Sequence, residues 1–124
     1  MTSIRFELFS ADVEKTVDFY CMLLGFNIVK KSANYVSLQR DRVIIGIGSQ
    51  ADLSRDHYFQ PEIKTARKGL GVEIVLEVDD IEAEHQKFAD ANYPLESELT
   101  LQRWGLTDFR LEDPNGYYIR ITTH

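Results

Sequence analysis

The sequence predicts an α+β fold made of two tandem βαβββ modules. Segment 5–14 (RFELFSADVE) recurs as segment 73–82 (EIVLEVDDIE), and in both copies an alternating strand pattern runs into an acidic helix start. Each copy is then followed by three further short strand patterns. In a chain of 124 residues, this duplication predicts a single domain, residues 1–124, built from two half-size modules.

The first module is predicted to occupy residues 1–48. Apolar and polar residues alternate over 4–10, as expected of a strand with one face on a core. Asp12 can cap a helix that begins at Val13, and Gly25 can end that helix in a left-handed conformation. Three short strands are predicted to follow, over residues 26–30, 35–39 and 43–47.

The second module, residues 71–124, repeats this order. A strand is predicted over 72–78, followed by a helix over 81–91 that Asp80 caps and Asn92 ends. The remaining strands are predicted over residues 95–99, 107–112 and 117–122, with a tight Asp-Pro-Asn-Gly turn at 113–116.

A polar segment, residues 49–70, separates the two modules and contains Tyr58 and Phe59. At about twenty residues it is longer than most connections within a domain. Two interpretations fit such a segment: a linker between modules, which is the more common case, or a lid over a binding site.

Charge and composition narrow the function. The chain has 14 Lys plus Arg against 20 Asp plus Glu, a formal net charge of −6, which argues against nucleic acid as the ligand and is compatible with a cationic small molecule. The single Cys21 excludes an intrachain disulfide. Because the chain lacks an N-terminal apolar segment and any long apolar run, we expect a cytoplasmic protein without a membrane partner.

Two motifs accompany the duplication. Phe19-Tyr20 follows the first helix start, and the chain closes on segment 111–121 (LEDPNGYYIRI). Together with the tandem βαβββ order, these motifs resemble the vicinal oxygen chelate superfamily of glyoxalases, bleomycin-resistance proteins and dioxygenases. The resemblance implies curved mixed sheets of four strands with helices on the outer face, a cleft on each concave sheet face, and a homodimer.

Strand alternation assigns side chains to the two faces of these sheets. The residues predicted to face the helices are apolar: Phe6, Leu8, Val72, Ile74, Leu76, Ile119 and Ile121. The residues predicted to face the cleft are mostly charged or aromatic: Arg5, Glu7, Phe9, Glu73, Val75, Glu77, Tyr118 and Arg120.

Metal-dependent members of the superfamily place His or Glu at four equivalent positions, which in this chain fall on Arg5, Gly46, Glu73 and Arg120. Only Glu73 can bind a metal, because guanidiniums stay protonated and glycine has no side chain. We therefore expect no metal and no cofactor. Arg5, Glu73 and Arg120 are instead predicted to form a charge-compensated cluster on the cleft floor.

The three histidines offer no alternative metal site. His57 lies in the linker, His85 is predicted on the outer face of the second helix, and His124 is the last residue. None has a ligand-like spacing to a second histidine or carboxylate. The glyoxalase and dioxygenase activities need a metal, so a binding protein is expected rather than an enzyme.

A second resemblance concerns the metal-free bleomycin-resistance proteins, which bind their drug without chemistry. Segment 102–107 (QRWGLT) is similar to their Trp-Gly-x-Thr segment, and segment 35–40 (YVSLQR) to their second-strand segment. The side chains predicted to bind a cationic or aromatic antibiotic by stacking or charge are Trp104, Tyr35, Phe9, Tyr58, Phe59, Tyr118, Glu7 and Glu77. Each of these also has a plain structural interpretation in packing or ion pairing.

Three functions therefore stay open. The first is metal-free small-molecule binding, with antibiotic sequestration and resistance as its example. The second is a metal-dependent lyase or dioxygenase, and the third is a non-catalytic ligand sensor or interaction module. Because Arg5 and Arg120 bring positive charge to the cleft floor, an anionic or zwitterionic ligand is as natural as a cationic one.

Overall fold

The computed structural model describes all 124 residues, which form eight β-strands, two α-helices and two short 3-10 helices. The chain divides into two compact units, Met1–Ala66 and Arg67–His124. The boundary between the units falls inside segment 49–70. No helix has both the length and the apolar character needed to cross a membrane.

The first unit contains one helix and a four-stranded mixed sheet. Its elements are β1 (Phe6–Ser10), α1 (Val13–Met22), β2 (Asn27–Lys31), β3 (Tyr35–Arg40) and β4 (Val43–Ser49). The strand order is β1-β4-β3-β2. β1 runs parallel to β4, whereas the other neighbours are antiparallel.

The second unit repeats this arrangement. Its elements are β5 (Glu73–Glu77), α2 (Ile81–Asp90), β6 (Ser97–Leu101), β7 (Thr107–Glu112) and β8 (Tyr118–Thr122). The strand order β5-β8-β7-β6 matches that of the first unit, and again only the β5–β8 pair is parallel. The predicted duplicated βαβββ fold is confirmed, with strand ends shifted by at most two residues.

Both helices begin at the predicted aspartates. Asp12 accepts a hydrogen bond from the Lys15 N–H at 3.1 Å, and Asp80 accepts one from the Ala83 N–H at 3.0 Å. Each carboxylate satisfies a donor that the first helical turn leaves free. The chain then leaves each helix through a left-handed residue, Gly25 (φ 70°) or Asn92 (φ 52°).

In each unit the core lies between the sheet and its helix. The fully buried apolar residues of the sheets are Leu38, Ile45 and Ile47 in the first unit and Phe109, Leu111, Ile119 and Ile121 in the second. Tyr20 of α1 and Phe88 of α2 are also fully buried. Burial of these apolar side chains is the main stabilising contribution to each unit.

Phe6 and Val72, which are predicted to face the helices, are 37% and 55% exposed, so the helices do not cover them. α1 packs mainly on β3 and β4, and α2 packs mainly on β7, so the start of each edge strand is left uncovered. The outer-face position predicted for His85 was wrong. Its ring packs edge-on against buried Phe109, with 5.2 Å between centroids.

The connecting segment has local structure of its own. Two short 3-10 helices, Gln50–Asp52 and Glu62–Lys64, lie in the part of the segment that belongs to the first unit. Between them, hydrogen-bonded turns run from Ser54 to His57 and from His57 to Gln60. Ile63 is buried at 9% exposure and anchors the segment to its unit.

Candidate functional site

The sheet face opposite the helix carries the candidate site residues of the first unit. Strand register sets two rows of three neighbours across β1, β4 and β3: one is Glu7, Gly46 and Ser37, and the other is Phe9, Gly48 and Tyr35. We call these the Gly46 row and the Gly48 row. In both rows the central residue is a glycine between two larger side chains.

The two glycines leave space on this face. A Cβ atom added at Gly48 would lie 3.6 Å from the Phe9 ring and 3.9 Å from the Tyr35 ring, so the two rings stand on either side of an open position. The room between the two rings is therefore that of about one methyl group. Phe9 and Tyr35 form an aromatic surface on either side of this position.

The space above Gly46 is filled by polar groups. The Tyr35 hydroxyl donates a hydrogen bond to Glu7 Oε1 at 3.0 Å, and Arg5 Nε lies 2.9 Å from the same oxygen. Burial, followed by the hydrogen bond to Glu7, raises the pKa of Tyr35. Because the phenol stays protonated, it remains a donor to the carboxylate.

An aromatic group extends the Gly48 row. The Phe9 ring lies 5.5 Å from Phe59 and 6.0 Å from His57, both in edge-to-face geometry, and the His57 and Phe59 rings are 5.2 Å apart. The Phe59 N–H donates to His57 Nδ1 at 3.1 Å, which ties the imidazole to the backbone of its neighbour. Tyr58 is 91% exposed, and within this group its ring contacts only that of Phe59.

The corresponding face of the second unit is charged. Here the rows across β5, β8 and β7 are Val75, Arg120 and Arg110, then Glu77, Thr122 and Asp108, and finally Glu73, Tyr118 and Glu112. Four carboxylates and two guanidiniums therefore share one sheet face.

Ion pairs connect most of these charges. Glu73 lies 3.1 Å from Arg120 and 3.9 Å from Arg110, and Arg110 lies 3.4 Å from Asp108. Asp108 is fully buried and also accepts a hydrogen bond of 2.9 Å from Gln102 Nε2. We call these five residues the arginine network. Its two guanidiniums are balanced by Glu73 and Asp108, and Glu112 lies 4.0 Å from Arg67, which leaves Glu77 as the excess negative charge on the face.

Two further predicted site residues of this unit differ in their contacts. The Tyr118 hydroxyl donates to Glu96 Oε2 at 2.8 Å, and burial followed by this hydrogen bond raises its pKa. The Glu77 side chain is exposed and makes no hydrogen bond or ion pair. It is therefore the acid on this face that is free to meet a cationic group.

Trp104 lies in the turn between β6 and β7 and is 51% exposed. The Gly105 N–H donates to the Gln102 carbonyl at 2.9 Å, and the Gln102 N–H donates to the Leu106 carbonyl at 2.8 Å, which closes the turn around the tryptophan. Since the Gln102 side chain also binds Asp108, this turn is connected directly to the arginine network.

A cavity of about 250 Å³ borders the charged face of the second unit. Arg67, Lys68 and Leu70 line one part, while Glu73 and Tyr118 line another. The cavity therefore joins the basic start of this unit to two of the predicted site residues.

The predicted site residues divide between the two units. The first unit holds Arg5, Glu7, Phe9, Tyr35, Tyr58 and Phe59, and the second holds Glu73, Glu77, Tyr118, Arg120 and Trp104. Within the units, Arg5 pairs with Glu7, and Arg120 pairs with Glu73. The predicted cluster of Arg5, Glu73 and Arg120 spans both units and stays a prediction.

Sequence reasoning missed Asp108, Arg110 and Gln102. Asp108 and Arg110 alternate with apolar residues in the segment TDFRLE, so the period-2 pattern that placed Tyr118 and Arg120 on the polar face could have placed these two beside them. No local signal identifies Gln102 as their partner, because that contact depends on the path of the turn after β6.

The residues at the four family metal positions do not fit a divalent cation. Gly46 has no ligand, Arg5 and Arg120 are cations, and Glu73 is engaged with Arg120. The buried Nε atoms of Arg110 and Arg120 lack partners, but they are donors and offer a cation no lone pair. Elsewhere too, no three His, Cys, Asp or Glu side chains converge in a way that could hold a metal ion.

The duplicated βαβββ scaffold defines the fold class of this chain, and one such fold can host several functions. The chain belongs to the Glyoxalase/Bleomycin resistance protein/Dioxygenase superfamily, whose family model matches residues 3–121. The resemblance predicted from the sequence is thus confirmed at the level of the superfamily.

Proteins similar to this chain carry different functional names. A probable lactoylglutathione lyase from Synechocystis sp. is 28% identical over 114 residues, which cover 89% of this chain and 86% of the relative. The structure of a bleomycin resistance determinant encoded on transposon Tn5 has a TM-score of 0.70 at 24% identity, over 99% of this chain and 98% of the other. A lactoylglutathione lyase from Agrobacterium tumefaciens has a TM-score of 0.76 at 17% identity, over 99% and 94%. At these identities, the two structures support the fold alone.

Proposed function

We propose that this protein binds a small organic molecule without a catalytic metal, in the manner of a bleomycin-resistance protein. The observation that carries the proposal is the ion pair of 3.1 Å between Glu73 and Arg120. Glu73 is the only potential metal ligand at the four family positions, and a guanidinium occupies the place where a cation would bind it. A metal ion bound to Glu73 would break this ion pair and bring a second positive charge next to Arg120.

The aromatic side chains support a flat ligand. Phe9 and Tyr35 flank Gly48, so their rings form an aromatic surface on which a planar ligand ring can stack. The partly exposed Trp104 offers a second stacking surface. Phe59 and His57 hold the Phe9 ring from the side, so this ring is already oriented before a ligand arrives.

Charge supports a cationic group on that ligand. The arginines predicted to favour anions are engaged: Arg5 pairs with Glu7, and Arg120 pairs with Glu73. Glu77 remains without a partner on an acidic face. A ligand with a flat aromatic ring and a cationic substituent, as in a cationic antibiotic, therefore suits these surfaces better than a simple acid. A homodimer, which is common in the superfamily, is part of the proposal.

Calorimetric titration with metal-free bleomycin tests this proposal on protein treated with EDTA. We expect saturable binding that EDTA does not reduce, with a loss of at least about tenfold (~1.4 kcal/mol) in affinity for Glu77→Gln. Glu82→Gln is the matched control, because Glu82 is an exposed carboxylate of α2. Since Trp104 is the only tryptophan, its fluorescence reports binding independently in the same samples.

Absence of binding by bleomycin and by a panel of cationic aromatic antibiotics would reject the proposal. So would equal losses in Glu82→Gln and Glu77→Gln, because the effect would then reflect net charge rather than the charged face.

A second candidate is lactoylglutathione lyase activity, favoured by the 28% identity to a probable enzyme of that name. Assay of the purified chain with added Zn²⁺, Ni²⁺ or Mn²⁺ decides between the two. Metal-stimulated turnover that Glu73→Gln abolishes would establish the lyase and remove the binding proposal. Unchanged background rates with all three ions would leave binding as the function.

A further inference from the structure

We propose that the connecting segment of the first unit contains a binding site for a small oxyanion, such as a phosphate or phosphoryl group. The site is a cavity of about 280 Å³ lined by Ala51, Leu53, Arg55, Gln60, Pro61 and Lys64. It involves none of the residues assigned to the sheet face.

The two cations of this cavity have no counterion. Neither Arg55 nor Lys64 forms an ion pair or a side-chain hydrogen bond, and no carboxylate lines the cavity. Asp56 and Glu62 are neighbours of these cations in sequence but lie outside the lining. The chain as a whole is acidic, at −6, so a cavity with two unpaired positive charges stands out from its surroundings.

The backbone holds both cations in place. Arg55 lies in the turn closed by the hydrogen bond of 3.1 Å from the His57 N–H to the Ser54 carbonyl. Lys64 lies in the 3-10 helix that follows Pro61, and its N–H donates to the Pro61 carbonyl at 3.3 Å. The backbone at both cations is therefore held by hydrogen bonds, while the Arg55 and Lys64 side chains are exposed to solvent.

Gln60 completes the site. Its Nε2 donates to the Leu53 carbonyl at 3.3 Å, which ties the two sides of the cavity together. A guanidinium can donate two parallel hydrogen bonds to one oxyanion, and an ammonium adds a third as a point charge. The lining thus provides both the shape and the charge that a tetrahedral or planar oxyanion requires.

The size of the cavity admits a small oxyanion or one end of a larger molecule. Its volume of about 280 Å³ lies just below the roughly 300–1,000 Å³ of sites for drug-sized ligands. Both cations line the same cavity, so both can act on one bound anion. A free oxyanion and the phosphoryl group of a larger metabolite share this chemistry.

The test is calorimetric titration of the intact chain with inorganic phosphate, methyl phosphate and acetate at constant ionic strength. We expect saturable phosphate binding, and a loss of at least about tenfold in affinity for Arg55→Gln and for Lys64→Gln. Arg42→Gln is the control, because Arg42 is an exposed arginine in the turn between β3 and β4 and should change the affinity less than twofold. Amide chemical shifts of Arg55, Gln60 and Lys64 locate the site.

Each outcome decides the proposal. Similar affinities for inorganic and methyl phosphate would identify a phosphoryl group carried by a larger molecule, whereas preference for inorganic phosphate would identify the free anion. No saturation by any of the three probes, or an equal loss in Arg42→Gln, would overturn the site. Because folding does not require either cation, normal thermal unfolding of both variants is expected and should be measured alongside.

Discussion

The two sheets share their helix-facing side and differ on the other. Matched by register, the central helix-facing row is Leu8, Ile47 and Val36 in the first unit and Leu76, Ile121 and Phe109 in the second. All six residues are buried. Burial against a helix admits only apolar side chains of suitable volume, so the two copies have the same character where they build a core.

The opposite face carries the differences. Gly46 of the first unit corresponds to Arg120 of the second, and Tyr35 corresponds to Asp108. One copy thus presents two glycines, one of them between aromatic rings, whereas the other presents a network of charges. Since this face does not build the core, its residues are set by what it contacts, and it is here that function should be sought.

The largest expected effect comes from a substitution on the helix-facing side, where both units bury apolar residues. Phe109→Ala should lower the free energy of unfolding by about 3–5 kcal/mol, because it empties a position packed against Phe88 at 5.5 Å and His85 at 5.2 Å. Its counterpart Val36→Ala removes less volume and should cost about 2 kcal/mol. Urea denaturation measures both.

A cost below about 1 kcal/mol for Phe109→Ala would mean that the core is not organised as the register indicates. The control is Leu101→Ala on β6, whose side chain is 71% exposed and should be nearly neutral.

Sequence reasoning succeeded where the physics is local or periodic. The Asp12 and Asp80 caps, the strand alternation and the duplication all follow from short-range rules, and they were enough to predict the fold. The exposure of Phe6 was not predicted, because alternation assigns a face but does not indicate where the covering helix ends.

The site was harder to predict for a related reason. The Phe9 and Tyr35 rings meet at Gly48 only because three strands adjoin in a particular register, and the pairing of Gln102 with Asp108 depends on the conformation of a turn. Such contacts join residues that are far apart in sequence. Residue types on a strand can be predicted from its pattern, but partners on other strands require the structure.

An effect of intermediate size should distinguish the two polar faces. Asp108→Asn should cost about 1–3 kcal/mol, since it removes the buried charge that Arg110 and Gln102 both contact. The counterpart Tyr35→Phe removes one partly exposed hydrogen bond to Glu7 and should cost less than about 1 kcal/mol. Denaturant unfolding with matched m-values compares them directly.

Equal costs for the two substitutions would contradict the view that charge burial stabilises only the second face. A larger cost for Tyr35→Phe than for Asp108→Asn would mean that the polar contacts of the first face contribute more to stability than those of the second.

The smallest effect is also the sharpest test, because it predicts opposite signs at two glycines on one strand. A Cβ at Gly48 would make ordinary contacts of 3.6 Å with Phe9 and 3.9 Å with Tyr35, and the backbone there is not left-handed. Gly48→Ala should therefore be neutral or stabilising by up to about 1 kcal/mol, since alanine restricts the unfolded chain. It should still weaken binding of a flat ligand, because its methyl group fills the open position.

Gly46 lies two residues before Gly48 on the same strand, and Gly46→Ala should be destabilising. Its Cβ would overlap the Glu7 carboxylate and the Tyr35 hydroxyl, so these groups must move apart and lose their hydrogen bond, at a cost of about 1 kcal/mol. If thermal denaturation gives both variants the same sign, the side chains above Gly46 are free to rearrange, and the first face is a flexible surface. Opposite signs mean that Glu7 and Tyr35 are held in place, so the aromatic position over Gly48 is preformed rather than created by its ligand.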